Sequence, residues 1–216
     1  MRKIDFIRDP SLVLYLPLYK EDGSSFASRD ACGHLCTATG AIWTPAGRKF
    51  DGVDDVITVP DHNALDITAA LTIEAWVNLS GFNAYQEVVS KNNAPQGYND
   101  PYLLRIQDDG TVFGRIGNGS GDDSIISPAG VINLDHWYHL VFTHNADYLC
   151  LFANAESIAA PVVRTVTPLS NTTNLSVGKG YYGKINGLIG EVRLYRRALS
   201  YLEVQHNYLA AKWRYR

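Results

Sequence analysis

Between Leu71 and Leu79 apolar and polar residues alternate without a break. Leu71, Ile73, Ala75, Val77 and Leu79 fall on one side of an extended chain, and Thr72, Glu74, Trp76 and Asn78 on the other. Period two over this length predicts a strand with one wholly apolar face. Wound as a helix, the same apolar residues would be scattered around the cylinder. Trp76, on the second face, has two readings. It packs beneath a crossing segment, as large aromatics mostly do, or it forms a floor for a flat ligand such as a sugar ring.

The same reasoning places shorter strands at Leu12–Leu16, 50–60, 87–91, 102–107, 111–117, 136–143, 148–153, 162–167, 175–178 and 188–195. Asp108, Asp109 and Gly110 mark one hairpin turn, and Asn145 to Asp147 mark another. Residues 20–40, rich in Gly, Ser, Asp and Thr, predict a long loop or a ragged hairpin. The pattern changes only at Ser200, where Glu203 follows three residues later as in a capping box. A helix over 200–211 and a basic-aromatic tail over 212–216 follow. No repeat or linker divides the chain, so residues 1–216 are read as one domain with its core at about 11–208. Many short strands without interleaved helices predict an all-β fold of two antiparallel sheets packed as a sandwich.

A net charge of −3 and a pI near 6.0 give no electrostatic case for nucleic acid or an anionic membrane. No apolar run reaches the ~18 residues a membrane span needs, so no membrane insertion is expected. Cys32 and Cys36 flank a His, but a tetrahedral zinc site wants four ligands and no second cluster completes it. A local disulfide and free thiols both remain open, and Cys150 reads as a small core residue. Asp5, Arg8 and Asp9 interrupt the approach to the first apolar run, so the N-terminus does not read as a secretion signal. The expected location is extracellular or on a virion surface, reached without a signal in this chain.

Four segments, 50–60, 71–77, 137–141 and 187–200, come in the order and spacing of the laminin G-like domains of the concanavalin A-like lectin/glucanase superfamily, which the chain resembles from about Ser11 to Tyr208. The resemblance implies a jelly-roll sandwich with one concave sheet. It does not imply a single function, because lectins, binding modules, adhesion domains and virion proteins share the fold. Two places depart from the family pattern: residues 153–156 lack the usual Asn/Asp-Gly turn, and Gly190 stands where an acid is common.

Hydrolysis on this fold needs two carboxylates flanking the scissile bond. Glu74 and Glu191 each stand alone in their strands, so the chain is expected not to be an enzyme. Asp51, Asp54 and Asp55 cluster around Gly52, and such a turn supplies oxygens to calcium or simply caps itself. The resemblance adds Glu191 as a further ligand of a structural Ca²⁺. Candidates for sugar binding are Tyr98, Asn99, Asp100, Tyr102, Arg105 and Arg115, with Tyr181 and Tyr182 between two glycines: rings stack on pyranose faces while polar groups bond hydroxyls. The expected function is a non-catalytic carbohydrate- or cell-surface-binding module. The alternative is a decoration or attachment protein of a virus or phage particle, forming an oligomer or meeting particle neighbours through the C-terminal helix.

Overall fold

In the computed structural model, which describes residues 9–92 and 99–216, two antiparallel sheets enclose one apolar core. The chain runs through β1 (Leu12–Leu16), β2 (Ser25–Ala27), β3 (Leu35–Thr39), β4 (Ile42–Thr44), β5 (Gly47–Asp51), β6 (Val56–Val59), β7 (Leu71–Leu79), β8 (Tyr85–Ser90), β9 (Tyr102–Gln107), β10 (Val112–Gly117) and β11 (Asp122–Ile126). It continues through β12 (Trp137–His144), β13 (Tyr148–Ala153), β14 (Glu156–Ser157), β15 (Val162–Val163), β16 (Leu175–Val177) and β17 (Asn186–Tyr195), then enters helix α1 (Tyr201–Ala211). Sheet A has the order β14-β13-β12-β7-β17-β5-β4, with β1 also on β17 and β15 also on β13; sheet B has the order β11-β10-β9-β8-β16-β6-β3-β2. Among the described residues no helix is long and apolar enough to cross a membrane.

β7 lies between β12 and β17 in the middle of sheet A, and its five apolar residues all enter the core. The segment 20–40 is a hairpin of β2 and β3. Residues 118–121 form only a turn, with Asn118 N bonded to Gly121 O at 3.0 Å, and β11 follows directly. All three cysteines are free thiols.

The outer face of sheet A is closed by the C-terminal segment. Ser200 N donates to Glu203 Oε2 at 2.8 Å, which completes the capping box, and Arg197 ties Glu203 to Asp9. Leu199 and Val204 then pack on Leu12, Tyr15, Val141, Phe152 and Tyr195 in a second, smaller apolar cluster. Beyond the helix, Tyr215 stacks on Trp76 with centroids 4.4 Å apart and lies 4.7 Å from Trp137, while Tyr208 stacks on Trp76 at 5.7 Å. Trp76 is therefore covered and is no ligand floor. The opposite side of α1 and the tail leaves Leu202, Leu209 and Trp213 exposed.

Under this cover lies a buried ionic network. Arg193 Nη2 bonds Glu191 Oε1 at 2.6 Å and Nη1 reaches Glu74 Oε2 at 3.4 Å, while Asn207 of α1 donates to Glu74 at 3.0 Å. Burial raises the Glu74 carboxyl, against the pull of Arg193 and Asn207. His139 Nε2 stands 3.6 Å from Glu74 Oε1, but burial and the Arg193 charge hold the imidazole down at about 3, so it is neutral and forms no ion pair.

Candidate functional site

The outer face of sheet B is not capped by a helix, and it gathers much of the predicted binding chemistry. On β9 the even residues Tyr102, Leu104 and Ile106 enter the core, which leaves Arg105 on the outer side. On β10 Val112 and Ile116 enter the core, which leaves Phe113 and Arg115 outside. Arg105 is paired in register with Phe113 on one side and Glu87 of β8 on the other. Its guanidinium lies 4.1 Å from the Phe113 ring centroid and 4.5 Å from that of Tyr85, a cation held between two aromatic faces. Arg115 is bonded instead to Asp100.

The loop 178–184 closes over this surface because its glycines allow close approach. A Cβ on Gly180 would fall 1.2 Å from Glu87 Oε2, and one on Gly183 would fall 1.9 Å from the Tyr85 carbonyl oxygen. The loop backbone thus lies flat on β8, Gly180 N bonds Gly183 O at 2.9 Å, and Tyr182 N donates to Glu87 Oε1 at 3.2 Å. Tyr181 and Tyr182 project at its tip, 50% and 37% exposed, with Tyr182 edge-on to the 37% exposed Tyr85. Beside Tyr181 a groove of ≈ 270 Å³ is lined by Thr58, Asn92, Ser176 and Lys179.

Burial sets the electrostatics of this face. Burial raises Glu87, opposed by the Tyr182 amide, and pushes Asp100 up to about 7 against the pull of Arg115. Burial and then Arg115 lower Arg105, which still stays charged. Among the described residues Glu87 Oε2, Asp100 Oδ1, Arg105 Nε and Arg115 Nε are buried atoms without hydrogen-bond partners. Such atoms are uncommon unless something completes them.

The predicted residues divide accordingly. Asp100, Arg105, Arg115, Tyr181 and Tyr182 lie on or beside this face. Asn99 is half-buried near the 118–121 turn, 3.9 Å from where a Cβ of Gly119 would stand. Tyr98 lies outside the described residues. Tyr102 is a core residue: it is fully buried and its hydroxyl donates to Leu65 O at 2.8 Å. Tyr85, Glu87 and Phe113 were missed. Register could have found Phe113, which lies opposite Arg105 across the Asp108–Gly110 turn.

The aspartate turn lies elsewhere. Asp51, Asp54 and Asp55 each place a carboxylate oxygen within 4.8 Å of the others. Asp51 Oδ1 already accepts from Val53 N at 2.8 Å, and Asp55 Oδ2 from Asp51 N at 2.8 Å. Of the main-chain oxygens, Gly52 O accepts from Asn83 Nδ2 and Asp54 O from Lys179 Nζ, both at 3.3 Å. Glu191 is not part of this group. Asp51 pairs with Asn186, and Glu191 stands roughly 15 Å further along the same strand, bonded to Arg193. Three carboxylates at this spacing supply part of the 6–8 oxygens that Ca²⁺ takes, and their turn also caps its own backbone.

Residues 51–205 match the laminin G family model described as the concanavalin A-like lectin/glucanases superfamily. A comparison with curated protein sequences returned no match. Among solved structures the chain is similar to Trypanosoma rangeli sialidase in complex with sialic acid, at a TM-score of 0.70 and 20% identity over 94% of this chain and 33% of that one. It is also similar to the binding domain of Paraclostridial Mosquitocidal Protein 1 (TM-score 0.71, 16% identity, 93% and 52% covered) and to the receptor binding domain of botulinum neurotoxin D (0.68, 14%, 93% and 52%). The chain thus spans about a third of the sialidase's length, and at these identities the likeness is one of fold. One expectation is overturned. The chain cannot be set down as a non-enzyme when a sialidase structure shares its fold over 94% of its length. Glu74 and Glu191 remain the single acids of their strands, and both are bonded to the buried Arg193.

Proposed function

The chain belongs to the concanavalin A-like lectin/glucanases superfamily, and from that premise we propose that it is a carbohydrate-binding module that engages glycans or glycan-bearing cell surfaces through the outer face of sheet B. The observation that carries the reading is the set of half-exposed rings of Tyr85, Tyr181 and Tyr182 beside the Arg105 guanidinium and the groove lined by Thr58, Asn92, Ser176 and Lys179. Rings offer the apolar faces of pyranoses a stacking surface, and the hydroxyl, amide and ammonium groups of the groove offer sugar hydroxyls both acceptors and donors. The fold-level likeness to a sialidase complexed with sialic acid and to two toxin binding domains supports the same class of ligand. A glycan-array screen followed by titration calorimetry on the best hit tests it. Tyr182→Ala is expected to weaken that hit roughly 3- to 10-fold, the range of one lost ring contact. A silent array, or a hit indifferent to Tyr182→Ala, overturns the reading.

The Asp51–Asp55 turn is proposed as self-capped, with the Lys179 ammonium already serving its carbonyl. Melting curves in chelator and in millimolar Ca²⁺ are expected to coincide within about 1 °C. A calcium-dependent rise of several degrees that Asp54→Asn abolishes would restore the ion site.

A further inference from the structure

We infer that the saccharide taken by sheet B is acidic, and that its carboxylate is received by Arg105. The inference rests on the proposed carbohydrate-binding role and names the ligand class within it. Two arginines lie on this face in adjacent strands, and their situations differ. Arg115 is bonded to Asp100. Arg105 has no hydrogen bond or ion pair among the described residues, and its Nε is one of the buried atoms left without a partner.

The absence of a partner is not for want of a nearby acid. Glu87 is directly opposite Arg105 in the β8–β9 register. Its carboxylate is turned instead toward the 178–184 loop, where Oε1 accepts from Tyr182 N and Oε2 lies against Gly180. Glu87 thus acts on Arg105 as a nearby charge and not as a hydrogen-bond acceptor. Arg105 is therefore left partly desolvated, with an acid near it but no hydrogen bond from it, and fixed in orientation by the rings of Tyr85 and Phe113.

A guanidinium already immobilised loses little further freedom on binding. Its planar fork matches the two oxygens of a carboxylate, and such charge-assisted pairs are stronger than neutral hydrogen bonds. Tyr182, edge-on to Tyr85, stands beside it as a platform for the ring that bears the acid. The fork pairs with carboxylates and with tetrahedral oxyanions alike, so the sulfated fragment in the test separates the two.

The test uses hyaluronan tetrasaccharide, whose uronate residues carry carboxylates without sulfate, against neutral chitotetraose and a carboxylate-free keratan sulfate tetrasaccharide. In calorimetry the hyaluronan fragment is expected to bind at least 10-fold tighter than chitotetraose. Arg105→Gln is expected to bring the two within about 2-fold, with Arg105→Lys in between because it keeps charge and loses the fork. The wild-type ratio needs no variant, so it stands even where Arg105→Gln fails to fold. Equal affinities for hyaluronan and chitotetraose overturn this inference and leave the carbohydrate-binding role standing. Preference for the sulfated fragment overturns the carboxylate assignment. Failure of all three fragments overturns this inference, while the glycan array decides the carbohydrate-binding role separately.

Discussion

Arg193→Met is expected to destabilise the chain by about 3–5 kcal/mol, the cost of leaving buried charge without its partner. Roughly 6–20 °C of melting temperature goes with it for a chain of this size. The cause is local. Arg193 is 2% exposed and is bonded to both Glu191 and Glu74, which are themselves buried at 4% and 2%. Burial alone lowers a guanidinium, yet the two carboxylates more than offset it and hold Arg193 above its ordinary value. With Met in its place, Glu74 and Glu191 face each other in an apolar surround, and His139 is neutral and offers no charge.

The sign of the pH dependence follows. Burial already raises the Glu74 carboxyl, and in the variant it loses the opposing pull of Arg193, so at this group the folded chain binds more protons than the unfolded one. The penalty is then full above the folded pKa and shrinks as pH falls toward the unfolded value near 4.3. Acidification from pH 7 to 5 should therefore narrow the gap between variant and wild type. Removing the Arg193 charge also eases protonation of His139 beside Glu74, which acts in the same direction. Adding Glu74→Gln and Glu191→Gln should recover more than half of the loss. Chemical denaturation at pH 7 and 5 reads all of this, and a gap that widens on acidification would show that the network does not carry the stability assigned to it.

That network marks the limit of what one chain reads from itself. The alternation of β7 sufficed to assign its buried face, and the spacing of Ser200 and Glu203 sufficed for the helix start, because both signals are local. Glu74 and Glu191 each read as solitary because their meeting depends on the register of β7 against β17, where Arg193 falls opposite Glu74. Register is a long-range property that no window of sequence contains. On β9 the information was present and went unused: Tyr102 and Arg105 are three residues apart, so period two places them on opposite faces. Only Arg105 could belong to the outer surface. Tyr85 and Glu87 reach the site because Gly180 and Gly183 let a loop ninety residues later in the chain lie on β8, and nothing near β8 announces that contact.

The tail over 212–216 gave the least warning, and Gly190→Ala tests what it does. The family resemblance places an acid there in many relatives, whereas here a Cβ at Gly190 would fall 2.3 Å from the Tyr215 ring. A strand in mid-sheet resists displacement, while Tyr215 rides on a short segment beyond α1, so the ring is expected to leave. Its departure uncovers Trp76 and Trp137 and forfeits a stacked aromatic that is 5% exposed. Burial of such a ring and its stacking together amount to about 2–4 kcal/mol. Tyr215→Ala should lose the same amount by the direct route. If both act through one contact, the double variant loses no more than either alone, which is the non-additivity expected of residues in contact. Tryptophan emission should shift to the red in all three variants as water reaches Trp76. A loss at Gly190→Ala that persists in full on the Tyr215→Ala background would instead locate the strain in β17 itself, and the tail would then be no more than an appendage to sheet A.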